Sequence, residues 1–66
     1  MRIVVDGLPQ EVARGTTLAQ LIEERQEDAL ELIAEVNYRY VHRRDYPTTV
    51  LGEGDRVELI LAAFGG

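Results

Sequence analysis

Cysteine, serine and lysine are all missing from this 66-residue sequence. Without cysteine there is neither a disulfide framework nor a thiolate metal site. The lack of serine and cysteine removes the commonest side-chain nucleophiles. The lack of lysine removes Schiff-base chemistry and a phosphate-cradling ammonium. Histidine occurs once, at His42, which cannot make a zinc site on its own. Long apolar runs are also missing. The longest, Leu59 to Phe64, is far short of a membrane span. The N-terminus opens into a strand pattern rather than a basic, apolar leader. The expectation is a cytoplasmic protein with no membrane partner and no bound metal.

What is present points to one small folded domain over residues 1–66. Hydrophobic residues make up 45% and charged residues 29%, a globular rather than disordered composition. A chain this short buries only about 60% of its unfolded surface, so its stability is marginal. Twelve acidic side chains against seven arginines leave a net charge of −5. Nucleic acid is therefore not an expected partner, since phosphate binding needs clustered positive charge. A protein with a basic surface suits the charge better.

Residues Arg2 to Asp6 alternate, with Ile3 and Val5 on one face, which predicts a half-buried strand. Asp6-Gly7 suits a two-residue hairpin turn, where both positions take positive φ. The returning strand, roughly Leu8 to Ala13, carries Pro9 and belongs at a sheet edge, because proline cannot donate to a ladder. Thr17 and Gln20 form a capping box for a helix running to about Gln26, with Leu18, Leu21 and Ile22 on its apolar face. Glu27 to Glu31 reads either as more helix or as loop. A third strand spans Leu32 to Asn37 with Leu32, Ala34 and Val36 inward. Asn37 begins a turn, and Tyr40 and Val41 fit a short fourth strand. Arg44 to Leu51 reads as irregular, with room for a helical turn. After the turn at Gly52-Glu53-Gly54-Asp55, the last strand covers Arg56 to Ala62. Val57, Leu59 and Leu61 share one of its faces, and Glu58, Ile60 and Ala62 the other.

Two strands, a helix and then further strands make an α+β order. A helical crossover after the hairpin lets a later strand return parallel to the first. The result is a mixed sheet of four to five strands with one helix on one face, the β-grasp or ubiquitin-like arrangement. Its second sheet face is open. If the first and last strands pair in mid-sheet, Val4 and Ile60 are neighbours on that face. Together with Ala62 and Phe64 they are the candidate partner-binding residues.

The candidate reactive residues are Gly65 and Gly66. A terminal carboxylate is ionised at neutral pH and is a poor electrophile. Joining it to AMP creates a leaving group that a sulfur or nitrogen nucleophile can displace. Glycines let such a tail thread a narrow channel and leave the reacting carbonyl unhindered. From Ala62 onward the tail reaches at most about 17 Å when extended.

The set Met1-Arg2-Ile3-Val4-Val5 with Asp6-Gly7, Gly15-Thr16-Thr17-Leu18, Val36-Asn37, Val41, Arg43, Tyr46, Leu51, Gly54-Asp55 and Gly65-Gly66 resembles the ThiS family of sulfur carriers along the whole sequence. Three positions depart from the family pattern. His42 stands where proline is common, Tyr38 where glycine often follows the Asn turn, and Phe64 where smaller residues precede the glycines. The resemblance implies a carrier rather than an enzyme. A ThiF-like partner would use ATP and magnesium to adenylate Gly66, with Gly65 giving access. A sulfur donor system would convert the adenylate to a thiocarboxylate, and thiazole synthase would receive the sulfur for thiamine biosynthesis. No nucleotide or other cofactor is expected on this chain, which is expected to be a monomer on its own. Two alternatives stay open: the small subunit of molybdopterin synthase, and a ubiquitin-like protein modifier or interaction module.

The remaining polar residues have ordinary readings. His42 between Tyr40 and two arginines is expected to be solvated, and Arg43 and Arg44 to be structural or surface groups, Arg43 being the better candidate for a structural hydrogen bond. Tyr38, Tyr40 and Tyr46 could form a docking patch, but tyrosines in a hairpin usually pack half-buried, and that is the expectation for them. Glu23, Glu24, Glu27, Asp28 and Glu31 lack calcium-loop spacing and suit a solvated helix face.

Overall fold

The computed structural model describes residues 1–25 and 32–61. Strand β1 (Arg2–Val5) turns back into β2 (Leu8–Glu11), and helix α1 (Leu18–Glu24) follows. Then come β3 (Leu32–Val36), β4 (Arg39–Val41), a 3-10 helix (Arg43–Thr48) and β5 (Arg56–Leu61). The five strands form one sheet in the order β2-β1-β5-β3-β4. Strands β1 and β5 are parallel, and every other pairing is antiparallel. This is the mixed β-grasp sheet expected from the element order, and β2 with its Pro9 is an edge strand.

Both short hairpins are encoded locally. Asp6 and Gly7 have φ of 50° and 83°, and Asn37 and Tyr38 have 52° and 68°. Positive φ at both central residues is the geometry that matches the right-handed twist of two strands joined by two residues. Glycine takes such angles without steric cost, whereas tyrosine does not. The helix starts as expected. The Thr17 hydroxyl accepts from the Gln20 amide at 3.2 Å, and the Gln20 side chain accepts from the Thr17 amide at 2.8 Å. Arg25 caps the other end. The segment after the 3-10 helix is sewn to the helix start by Leu18 N–H to Thr49 O at 2.8 Å and Leu51 N–H to Thr16 O at 2.9 Å.

Helix α1 lays Leu18, Leu21 and Ile22 on the sheet face formed by Ile3, Val5, Ala34, Val57 and Leu59. Leu18 and Leu21 are completely buried, and each such side chain contributes roughly 1.5–3 kcal/mol. Tyr46 and Leu51 complete this core. The Tyr46 hydroxyl donates to the Leu32 carbonyl at 3.4 Å, and burial pushes its pKa up.

Several expectations need correction. Strand β1 ends at Val5 because Asp6 belongs to the turn, and β2 ends at Glu11 rather than Ala13. Leu61 alternates with Val57 and Leu59 but is exposed, because no described residue covers that end of β5. Tyr38 and Tyr40 are exposed rather than half-buried. Arg43 makes no side-chain hydrogen bond among the described residues; it opens the 3-10 helix with its side chain in solvent. Val4 and Ile60 are not neighbours. Val4 stands opposite Arg56, so Ile60 lies four residues further along β5, about 13 Å away. The expected course of residues 26–31 and the candidate residues Ala62, Phe64, Gly65 and Gly66 fall outside the described residues.

Candidate functional site

The sequence runs on from β5 to Gly65 and Gly66, so the site begins with what holds that strand. Strand β5 is central, flanked by β1 and β3. Where β1 ends, the Asp6 side chain takes over the ladder: its Oδ1 accepts from the Leu59 amide at 2.9 Å, and its Oδ2 faces Arg25 at 3.5 Å. The start of β5 is fixed by a side-chain network. Asn37 Oδ1 accepts from the Arg56 amide at 2.9 Å, and its Nδ2 donates to Asp55 Oδ1 at 3.0 Å. Asp55 Oδ2 in turn accepts from the Gly52 amide at 2.7 Å. These bonds tie the β3–β4 turn to the turn before β5. Side chains thus hold β5 at its first residue, Arg56, and again at Leu59.

Alternation sends Arg56, Glu58 and Ile60 of β5 to the open sheet face. Register then builds two rows across that face. In one, Tyr40 of β4, Glu35 of β3 and Glu58 of β5 stand side by side. In the next, Ile33 is the partner of Ile60. Both isoleucines are partly exposed, at 37% and 43%. This apolar row is the nearer one to the strand end from which the sequence runs on to Gly65 and Gly66. Ile60 therefore keeps its expected place on the open face, but with Ile33 rather than Val4 beside it. Val4 is half-buried between Pro9 and Arg56. Ile33 and Glu35 were missed as site residues, and Tyr40, weighed as part of a docking patch, was set aside as half-buried. The outward phase of Ile33 and Glu35 was legible, since Leu32, Ala34 and Val36 read as inward, but the pairing of β3 with β5 was not, and the exposure of Tyr40 ran against expectation.

Elsewhere the chemistry is sparse. His42 is exposed, with its ring edge-on to Tyr40 at 4.9 Å between centroids. A shallow open depression of about 470 Å³ is lined by Ala13 to Thr16, Gln20, Glu23 and Glu24, away from the tail strand. Among the described residues no group of three or more His, Asp or Glu side chains could hold a metal ion. No described helix is long and apolar enough to cross a membrane.

The ThiS family model matches residues 3–66, a span that takes in both β5 and the terminal glycines. The chain belongs to the ThiS family. Two solved structures are similar over its full length. A crystal structure of the thiamine biosynthesis protein ThiS from Geobacter metallireducens shares 26% identity with a TM-score of 0.87, and each chain is covered completely. A solution NMR structure of a thiamine biosynthesis protein from the same organism shares 26% identity with a TM-score of 0.81, covering all of this chain and 88% of the other. No curated protein matches the sequence. Family membership bears out the resemblance drawn from Asp6-Gly7, the Thr17 cap, Asn37 and Gly54-Asp55. In the structure these residues form the turns and caps that frame the ThiS-family sheet.

Proposed function

We propose that this ThiS-family protein is a sulfur carrier of thiamine biosynthesis and that the Gly66 carboxylate is the group that carries the sulfur. The observation behind this reading is the family match, which runs through Gly66. The similarity to a thiamine biosynthesis protein over the full length of both chains supports the thiamine branch over the molybdopterin branch.

In this reading the chain is a co-substrate. A ThiF-like enzyme binds ATP and magnesium, and the Gly66 carboxylate attacks the α-phosphorus. Pyrophosphate leaves, and the carboxyl carbon becomes an acyl-adenylate. Hydrosulfide supplied by the donor system then attacks the acyl carbon and displaces AMP with loss of a proton, giving the thiocarboxylate that thiazole synthase consumes. Gly65 keeps the approach to that carbon narrow and unhindered. The domain remains outside the partner's pocket, docked by its open face around Ile60, with Val4, Ala62 and Phe64 as further contacts. Adenylation needs ATP, so the reading places the protein in the cytoplasm.

Deleting Gly66, or replacing Gly65 with alanine, removes sulfur loading and leaves the melting temperature unchanged. The check is intact-mass measurement after incubation with the adenylating enzyme, ATP and a sulfur donor. Only the wild-type chain gains the mass of an oxygen-for-sulfur exchange. Normal loading of the deletion variant would overturn the carrier reading.

A further inference from the structure

Glu35 and Glu58 are directly opposed in the antiparallel β3–β5 ladder. Side chains so placed have Cβ atoms about 4.5–5.5 Å apart, and like charges there destabilise the sheet. Both residues are half-buried, where solvent and salt screen their repulsion less than on an open surface. Neither has a cation within ion-pair distance among the described residues. Folding alone gains nothing from this pair, since an opposite charge or a β-branched residue at either position would stabilise the ladder. The pair lies between two groups suited to contact. On one side is the apolar Ile33–Ile60 row, and on the other is Tyr40, exposed and opposite Glu35.

We propose that this face docks a partner that covers Ile33 and Ile60 with an apolar group and places an arginine side chain between Glu35 and Glu58. The proposal rests on the carrier reading and makes the adenylating enzyme the occupant. Charge selects among the possible occupants. A second copy of this chain, with net charge −5, would bring acidic pair against acidic pair, and nucleic acid or an anionic membrane would be repelled for the same reason. Arginine suits the site better than lysine. Its planar guanidinium can bond two carboxylates at once while stacking on the adjacent Tyr40 ring. The apolar cover removes water from the pair of ions, so the charge match becomes a condition for docking rather than long-range steering alone.

The test is ATP–pyrophosphate exchange by the ThiF-like enzyme as a function of carrier concentration. Glu35→Gln/Glu58→Gln neutralises the pair without changing shape. The control, Glu23→Gln/Glu24→Gln, makes the same change in net charge on the exposed face of α1. The open-face double variant raises KM for the carrier about ten-fold and flattens its salt dependence, with kcat unchanged, while the control stays within about two-fold. The open-face variant also melts higher than wild type, which shows that it folds. An unchanged KM, or an equal rise in the control, overturns the proposal while tail-dependent exchange by the wild type leaves the carrier reading standing. Exchange that ignores the tail overturns both. A wild-type dimer that Ile60→Arg dissociates would make a second copy the occupant and overturn the assignment.

Discussion

The two faces of the sheet are built from the same strands and obey different constraints. On the covered face, Ile3, Val5, Val57 and Leu59 meet Leu18, Leu21 and Ile22, and every one of them is buried. Each side chain there is the kind that burial demands. The open face carries Val4, Arg56, Glu58, Ile60, Ile33, Glu35 and Tyr40, a mixture that packing does not explain. It includes two opposed carboxylates and two partly exposed isoleucines. Where folding leaves a surface free, departures from what would be most stable are the places to look for binding. The same contrast separates the two hairpin tips. The β1–β2 turn has glycine at its second central position and costs nothing there. The β3–β4 turn has Tyr38, with φ of 68° and 70% of its surface exposed.

Breaking the covered face has the largest expected effect. Leu59→Arg places a charge at a position only 8% exposed, opposite Ala34, where it has no partner. Burying an unpaired charge is among the few single changes that cost more than about 4 kcal/mol. A core of this size supplies only about 3–5 kcal/mol in total. The variant is therefore unfolded at 25 °C, and amide NMR spectra or far-ultraviolet circular dichroism will show it. A folded variant would mean that β5 can shift its register and that the two faces are less distinct than described.

Tyr38→Gly sharpens the comparison at the hairpin tip. A non-glycine residue held at positive φ costs on the order of 1–3 kcal/mol. The tyrosine recovers some of this by lying 5.5 Å from the Arg56 guanidinium, a contact worth about 0.5–1 kcal/mol at an exposed site. Glycine also gives the unfolded chain more freedom, which takes back a similar amount. The expected net gain is about 0.5–1 kcal/mol, or a melting temperature higher by about 2–8 °C. In an Arg56→Ala background the same substitution gains more, because no ring contact is lost, and the double-mutant cycle isolates that term. A loss of stability in both backgrounds would show that the left-handed tip carries no strain.

These contrasts also show what could be read without coordinates. The turns were legible because single residues encode them: Asp6-Gly7 and Asn37 by their tolerance of positive φ, Thr17 and Gln20 by their reciprocal caps. The inward set on each strand followed from alternation alone. Leu61 failed because alternation says which way a side chain points, and not whether anything lies there to cover it. The neighbours of Ile60 could not be read either. That β5 pairs with β3 along Leu32 to Val36, while meeting β1 only at Val4 and Val5, depends on where the crossover lets the chain return. No residue in β5 encodes that register by itself. The proposal for Gly65 and Gly66 draws on residue type and order alone, whereas the one for the open face required knowing which strands touch.

Ile60→Arg is expected to change stability least, although it puts the same charge only one residue from Leu59. Ile60 is 43% exposed, so the guanidinium can remain hydrated. Its diagonal neighbour Glu35 and its strand neighbour Glu58 lie on the same face, within reach of a long side chain. The substitution loses some contact with Ile33 and relieves some of the repulsion between the two glutamates, and these effects oppose each other. The expected change is within about 0.5 kcal/mol, or about 2–4 °C in melting temperature, and it is more favourable at low salt than at high salt because the new attraction is screened. Binding to the adenylating enzyme, by contrast, is lost. The introduced cation occupies the acidic pair and removes the apolar surface that the enzyme would cover. Calorimetry of the free protein and pyrophosphate exchange with the enzyme measure the two effects separately. A variant that melts normally and exchanges normally would place the docking surface elsewhere, and one that unfolds would put Ile60 on the covered side of the sheet.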